Sequence, residues 1–196
     1  MNLSDLRARL RDITCTKDLD EHPSTIEALR AECPHTIQLF ERTNPAFPRN
    51  CYEWALGLNP VLTQLVGALD LPELFAGPRF VSTLIPHLKN ISEGDVRSDD
   101  LVLYFDKQIP THAGRLKESQ VVSKWGTGHI YKHGFLEVPE SYGSKIRFYR
   151  TIPASVATAR FVSYIRHHPD YGAIDKIFEE RFGHLYPDSH AREHHS

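Results

Sequence analysis

The sequence predicts an α+β fold, and three features of the residue pattern lead to that prediction. Segments before residue 90 and after residue 153 repeat their apolar residues at helical spacing. Between them, short β-prone runs such as residues 101–105 are separated by turn residues. Helices that precede and follow a meander of short strands are typical of α+β domains, in which the two kinds of element are segregated along the chain.

The first predicted helix covers residues 3–13, in which leucines and Ile13 recur at helical spacing after the start signals Ser4 and Asp5. The other helices are predicted from the same spacing, with prolines and glycines at several of their boundaries. They cover residues 24–29, 37–40, 50–57, 59–69, 80–85, 154–167 and 171–182.

The predicted strands cover residues 101–105, 111–117, 120–125 and 145–150. Each run is short, contains β-branched or aromatic residues and is bounded by turn residues. Residues 129–133 fit either a brief strand or an active-site loop. A chain of 196 residues with these elements predicts one domain with helical additions at its ends.

Composition excludes several classes of partner. A formal net charge of -2 leaves no excess of lysine and arginine, which argues against nucleic acid or an anionic membrane as the partner. No apolar run approaches the length of a membrane span, and the N-terminus lacks the apolar core of a secretory signal. Three cysteines without a C-x-x-C pair fit a reducing compartment. We therefore expect a soluble cytoplasmic protein, with export that needs no cleavable signal as the alternative.

The stretch around Cys51 carries the strongest functional signal. Asn50 is suited to cap a short helix, and Gly57 is suited to end it in a left-handed conformation. Cys51 then lies in the first turn, where backbone N–H groups and the helix dipole favour a thiolate. A thiol nucleophile is activated by a nearby base that takes its proton. His112, at the head of a predicted strand, is the candidate for that base.

A cysteine on a helix and a histidine at the start of a following strand are the layout of papain-like cysteine hydrolases. Residues 98–105 (SDDLVLYF) and 111–116 (THAGRL) resemble the "GDLVFF…HVGIY" strands of the NlpC-like and CHAP-like peptidases in that superfamily. The resemblance implies a core in which the helix packs on a small antiparallel sheet. It also implies that Cys51 is the nucleophile and His112 the base.

A narrower resemblance is to an uncharacterised papain-like domain family with the pattern "NCxxWALG … tHA … SKxG … H … YG". The matching residues are 50–57, 111–113, 123–126, His133 and 142–143. The resemblance covers roughly residues 40–150 and implies a fold and a Cys-His dyad, but no known substrate. It divides the chain into an N-terminal helical extension (1–40), a catalytic core (41–152) and C-terminal helices with a polar tail (153–196).

The pattern offers more than one candidate for the third catalytic residue. NlpC-like peptidases usually place a polar residue, often histidine, on the strand after the dyad histidine. Here that position falls near Ser123 or Lys124, whereas His133 comes one segment later and could orient the His112 ring. We favour His133 as the third member of the site and place Ser123 second.

Several neighbouring residues have simpler alternative explanations. The candidate binding residues are Asn50, Trp54, Ser123, Lys124 and Trp125. The two tryptophans fit the core or a groove wall better than a platform for substrate. Cys15 and Cys33 fit buried cysteines without a role.

A zinc site made of Cys51, His112 and His133 would lack a close-spaced ligand pair, so we predict no metal and no other cofactor.

Two functions follow from this sequence. The first is a cysteine amidase, peptidase or acyltransferase that forms an acyl-enzyme on a peptide or amide substrate. Cell-wall peptides are the usual substrates of the superfamily, but the absent secretory signal weakens that choice. The second is a catalytically inactive papain-like module that binds a protein partner through its terminal helices. An open groove between Cys51 and His112 would favour the enzyme, and a filled groove would favour the module.

Overall fold

A seven-stranded antiparallel sheet lies between two layers of helices. The computed structural model describes residues 2–44, 49–68 and 74–169, together with Gly172, Lys176 and Glu180. Its α-helices are α1 (Leu3–Thr16), α2 (His22–Leu29), α3 (Cys51–Leu56), α4 (Pro60–Ala68), α5 (Pro78–Leu84) and α6 (Ala154–Arg166). Its strands are β1 (Gln38–Glu41), β2 (Asn90–Ile91), β3 (Leu101–Asp106), β4 (Ile109–Lys117), β5 (Gln120–Lys124), β6 (Ile130–His133) and β7 (Lys145–Tyr149).

The order of strands across the sheet is β1-β6-β5-β4-β3-β7-β2. From β3 to β6 the chain forms a meander in which each strand pairs with the next one. β7 returns beside β3 and places the chain at the start of α6. The fold is therefore a mixed α and β structure built on one antiparallel sheet, which confirms the coarse fold class predicted from the sequence.

The two faces of the sheet bury two separate hydrophobic clusters, because successive side chains of a strand point to opposite faces. We call one the α3 face, where Leu103 and Ala113 pack with residues of α3, α4, α5 and α6. We call the other the α1 face, where Val102, Tyr104 and Leu116 pack with residues of α1 and α2. Each strand residue near the candidate site can therefore be assigned to one face.

Most predicted elements are present, and one helix prediction is wrong. Residues 37–40 were predicted as a short helix, but residues 38–41 form the edge strand β1, which pairs with β6. Its four side chains are all exposed, so local apolar spacing did not decide its conformation. Residues 130–133 form the strand β6 rather than a loop. The predicted helix at 171–182 falls largely outside the described residues.

The N-terminal segment belongs to the same packed structure as the sheet. Leu6 and Leu10 of α1 are fully buried against the α1 face, and β1 forms one edge of the sheet. The predicted boundary at residue 40 therefore does not coincide with a break in the hydrophobic packing. In the part of the chain that the structure describes, no helix combines the length and the apolar character needed to cross a membrane.

Candidate functional site

The first turn of α3 is fixed by the capping interactions that its sequence predicts. The Asn50 side-chain oxygen accepts the N–H groups of Tyr52 and Glu53 at 2.9 and 3.0 Å. The Glu53 carboxylate in turn accepts the Asn50 N–H at 3.0 Å, which completes a capping box. Gly57 ends the helix with a φ of 63°. These contacts hold Cys51 as the first residue of the helix.

The Cys51 sulfur lies where β4 and β5 separate. The ladder between these strands ends at the pair Gly114–Ser123. Leu116 donates its N–H to Asp100 on the β3 side of β4, so by alternation the Ala113 N–H points to the β5 side. There it meets the Cys51 sulfur instead of a strand partner. The thiol therefore occupies the gap in the sheet directly beside the residue that follows His112.

Cys51 is a protonated thiol in this conformation. Its side chain is buried, with 6% of the residue exposed. Burial raises the pKa of the Cys51 thiol to about 12, and the neighbouring Glu53 carboxylate acts in the same direction. The backbone amides of Ala113, Tyr52 and Cys51 itself oppose that rise. The sulfur thus already has donors that would stabilise a thiolate, but burial outweighs them.

The His112 side chain lies on the α1 face. His112 pairs in register with Tyr104, and the two rings are 5.4 Å apart. Its ring also stacks on Tyr142, with centroids 3.9 Å apart and planes 13° apart. The ring is fully buried, and neither of its nitrogens has a hydrogen-bond partner among the described residues. The structure therefore contains no hydrogen bond between the Cys51 thiol and the His112 ring.

The electrostatic state of His112 follows from this burial. Loss of solvation lowers the pKa of His112 well below its ordinary value, and the nearby His133 lowers it further. The ring is therefore neutral and has one nitrogen able to accept a proton. Such a ring can accept a proton, but its lowered pKa makes it a weaker base than an exposed histidine.

Ser123 and His133 bond to each other rather than to His112. The Ser123 Oγ and His133 Nε2 atoms are 2.8 Å apart. His133 Nδ1 lies 2.8 Å from the Gly134 carbonyl oxygen, which can only accept, so this nitrogen carries the proton. Nε2 then accepts the hydroxyl of Ser123. The two candidates for the third catalytic residue thus form one buried pair, and neither orients the His112 ring through a hydrogen bond.

A short turn at Glu140–Tyr142 holds the Tyr142 ring over His112. Thr111 donates its hydroxyl to the Tyr142 carbonyl at 2.6 Å. Arg7 of α1 donates to the Val138 carbonyl at 3.2 Å and also to the Gly143 carbonyl. Arg11 of α1 pairs with Glu140. The N-terminal helix therefore fixes the segment that covers His112.

Gly143 explains why a Tyr-Gly step occurs at this turn. Its φ is 87°, a conformation that residues with a Cβ rarely adopt. A Cβ at Gly143 would also lie 2.3 Å from the Phe105 carbonyl oxygen. Only glycine allows the turn to approach β3 closely enough to place Tyr142 on His112.

Lys124 occupies the α3 face at the end of β5. It is 2% exposed, and its ammonium donates to Thr43 Oγ1 and to the Gly128 carbonyl oxygen, both at 2.5 Å. Burial lowers the pKa of Lys124 to about 8, and the positive charge of Arg49 contributes. The sequence predicts Lys124 as a binding residue, and the structure places its side chain in a buried position.

The two tryptophans have different environments. Trp125 is 4% exposed and packs on Tyr131 of the α1 face, with ring centroids 4.5 Å apart. Trp54 is half-buried against the cluster on the α3 face. Trp125 is therefore a core residue, which agrees with the simpler of its two predicted roles.

A cavity of about 480 Å³ adjoins the first turn of α3. The described residues that line it are Asn50, Glu53, Thr63, Gln64, Gly67, Phe75 and Thr127. Its lining includes Asn50, which directly precedes Cys51. Among the described residues, no group of three or more His, Cys, Asp or Glu side chains is arranged to hold a metal ion.

The role of Tyr142 is the main feature that the sequence analysis missed. The sequence analysis places residues 142–143 in the family pattern only, and it gives Tyr142 no contact with His112. Comparisons of the chain with models of known protein families, with curated proteins and with solved structures gave no match. The site is therefore interpreted from its own chemistry.

Proposed function

We propose that the chain is a papain-like cysteine hydrolase or acyltransferase, with Cys51 as the nucleophile and His112 as the base. Its substrate would be a peptide or another amide, or a thioester. The observation that supports this most directly is the position of the Cys51 sulfur in the gap between β4 and β5. There the backbone N–H of Ala113, one residue from His112, is close enough to lower the pKa of the thiol.

The environment of the His112 ring, which is buried without a hydrogen-bond partner among the described residues, also supports the proposal. A structural histidine in a protein core is normally hydrogen-bonded, because an unpaired buried polar group costs about 1–3 kcal/mol. His112 is fully buried and has no such partner among the described residues. A functional role, in which the ring finds its partner during the reaction, accounts for this cost.

The proposed reaction has two stages. His112 takes the thiol proton while the Cys51 sulfur bonds to the carbonyl carbon of the substrate. The proton then passes to the leaving amine or thiolate, which departs and leaves an acyl group on Cys51. Water or an amine attacks the thioester and restores the thiol. In the resting structure the His112 ring projects to the α1 face, away from the cluster that contains Cys51, and it is stacked on Tyr142. The reaction therefore requires the Tyr142 ring to move away and the His112 ring to turn towards Cys51.

Acyl-enzyme formation on a benzoylglycyl thioester tests the proposal. We expect the released thiol to appear with a burst, and mass mapping to locate the acyl group on Cys51. The His112→Ala variant should acylate at least about 100-fold more slowly, which is the usual size of a lost general base. The Cys15→Ser variant is the control, because Cys15 is an exposed cysteine on the far side of α1.

Acylation of Cys15 at the same rate as Cys51 would contradict the proposal, because ordinary thiol exchange would then explain the product. An unchanged rate in His112→Ala would retain Cys51 as a nucleophile but remove His112 as its base.

A catalytically inactive binding module is the second candidate, and one observation favours it. Neither Cys51 nor His112 is open to a substrate in the resting structure. Tyr142 covers His112, and the Tyr52 hydroxyl donates to the Pro110 carbonyl at 2.8 Å, which ties α3 to the start of β4. If the Tyr142→Ala variant, in which His112 is uncovered, also fails to acylate, the binding module becomes the better explanation.

A further inference from the structure

A second ionisable side chain approaches the gap that contains the Cys51 sulfur. The last pair between β4 and β5 is Gly114–Ser123, so the next residues along the two strands, Ala113 and Lys124, stand across the gap from each other. The Ala113 amide lies close enough to the Cys51 sulfur to act on its pKa. Lys124 is therefore the β5 residue opposite the amide that Cys51 contacts.

The side chain of Lys124 also lies on the same face as the helix that carries Cys51. Ser123 pairs with Gly114 and Tyr131 on the α1 face, so the neighbouring Lys124 projects to the α3 face. His112 projects to the opposite face. Of these two candidate partners for the thiol, Lys124 is the one that shares a face with α3.

The burial of Lys124 lacks the usual compensation. Lysine is rarely buried unless an opposite charge pairs with it. Lys124 is 2% exposed, and its described ammonium contacts are the neutral oxygens of Thr43 and Gly128. Within the described residues it forms no ion pair with a carboxylate. The Glu41 and Glu53 carboxylates act on the ammonium without forming an ion pair with it, so a further negative charge at Cys51 could still be stabilised by Lys124.

We propose that Lys124 is the positive charge that stabilises the Cys51 thiolate from the α3 face. This inference rests on the proposed function, because it requires Cys51 to act as a nucleophile. No proton transfer to Lys124 is involved: the thiol proton goes to His112, and the ammonium keeps its three protons while the sulfur becomes negative.

Several charged groups face Lys124 and set its charge. They are Glu41 of β1, Arg49 before α3, Cys51 and Glu53 of α3, and His129 before β6. The carboxylates favour the ammonium, whereas Arg49 and burial disfavour it. With a pKa of about 8, Lys124 is mostly charged at neutral pH and loses its charge as the pH rises through 8.

Alkylation by a charged and a neutral reagent tests the inference on the full chain. Iodoacetate and iodoacetamide react with the same thiolate, but only the anionic reagent is attracted by a nearby ammonium. We would measure the rate of each at Cys51 between pH 6 and 10 by mass mapping, with the exposed Cys15 of the same chain as reference. The iodoacetate-to-iodoacetamide ratio at Cys51, relative to Cys15, should fall as the pH rises through 8.

Variants of Lys124 separate charge from packing. Lys124→Met should lower that ratio and slow the iodoacetamide reaction of Cys51 at pH 7.5 about tenfold, the effect of one pKa unit on a thiol. Lys124→Arg should retain both properties, because the positive charge remains. Lys132→Met is the matched control, since Lys132 lies on the neighbouring strand β6 and pairs with the exposed Glu118.

Three results would overturn the inference. Unchanged rates and ratios in Lys124→Met, with Cys51 still reactive, would reject Lys124 while leaving the proposed function intact. Equal losses in Lys124→Met and Lys124→Arg would show that Lys124 only holds residues 43 and 128 in place. A Cys51 that reacts in no variant, including the wild type, would reject the proposed function as well. If Lys124→Met does not fold, the pH dependence of the wild-type ratio decides the question.

Discussion

The two faces of the sheet differ in how they use buried polar groups. On the α3 face, the buried ammonium of Lys124 has two hydrogen-bond acceptors but no counter-ion among the described residues. On the α1 face, the ring nitrogens of His112 and the hydroxyls of Tyr104 and Tyr131 are buried and have no hydrogen-bond partner among the described residues. Cys51 belongs to the buried cluster of the α3 face, near the point where the β4–β5 ladder ends.

This difference indicates separate roles for the two faces. On the α3 face, the helix that carries Cys51 has a fixed position, because α3 is held by its capping box and by the hydrogen bond from Tyr52 to β4. The α1 face supplies a group that is neutral and covered, and that must be released before it can act. The turn that carries Tyr142 is held to α1 by Arg7 and Arg11, so under the proposed function the N-terminal helix would take part in covering His112.

Among these predictions, removal of the Tyr142 ring should have the largest effect on the free energy of unfolding. It should perturb the α1 face of the sheet only. We expect Tyr142→Ala to lower the free energy of unfolding by about 3–4 kcal/mol, as is usual when a large aromatic side chain is truncated. Because water would then reach His112, its pKa should rise towards its ordinary value. Urea denaturation and NMR titration of the ring nitrogens would measure the two effects.

Phe161→Ala is the matched control for this prediction. Phe161 is fully buried on the α3 face, where its ring meets Phe80 at 5.0 Å. Its truncation should cost at least as much stability but leave the pKa of His112 unchanged. If both variants shifted the titration of His112 equally, the loss of stability rather than the loss of the cover would be responsible.

Acid should destabilise the protein chiefly through the α1 face. Burial lowers the pKa of His133 to about 4 in the folded state, against 6.5 in the unfolded chain. The unfolded chain therefore binds more protons between these two values, so stability is complete above pH 6.5 and declines as the pH falls towards 4. The shift corresponds to roughly 3 kcal/mol from His133. Urea denaturation at intervals between pH 7 and 4 would measure the decline.

A His133→Gln variant shows whether this decline belongs to His133. The variant should flatten the dependence of stability on pH in that window, although His112, whose pKa is also lowered, will retain part of it. A slope that stays the same in the variant would assign the decline to other groups and would remove this distinction between the two faces.

The sequence predicted those parts of the site that depend on local chemistry. The caps at Asn50 and Gly57, the helix start at Cys51 and the strand with His112 all follow from residues close in the chain, and the structure has each of them. Period-two alternation was also available, and it assigns His112 and Ala113 to opposite faces. This alternation predicts the strands, but it does not indicate which face of the sheet Cys51 approaches.

The features that could not be predicted depend on contacts distant in the chain. Tyr142 reaches His112 only because Arg7 and Gly143, 136 residues apart, meet across the fold. β1 is a strand only because β6 offers it an edge, since its own side chains are all exposed. In both cases a partner distant in sequence decides the conformation, and local propensity carries no information about that partner.

The smallest of these effects should come from Ser123→Ala. This variant leaves the Nε2 atom of the fully buried His133 without its partner, so we expect the free energy of unfolding to fall by about 1–2 kcal/mol. Ser82→Ala is the matched control, because its hydroxyl bonds to the Pro78 carbonyl in an exposed position of α5. That change should stay within about 0.5 kcal/mol. Urea denaturation of both variants measures the difference, and equal losses would mean that the Ser123–His133 pair does not stabilise the α1 face.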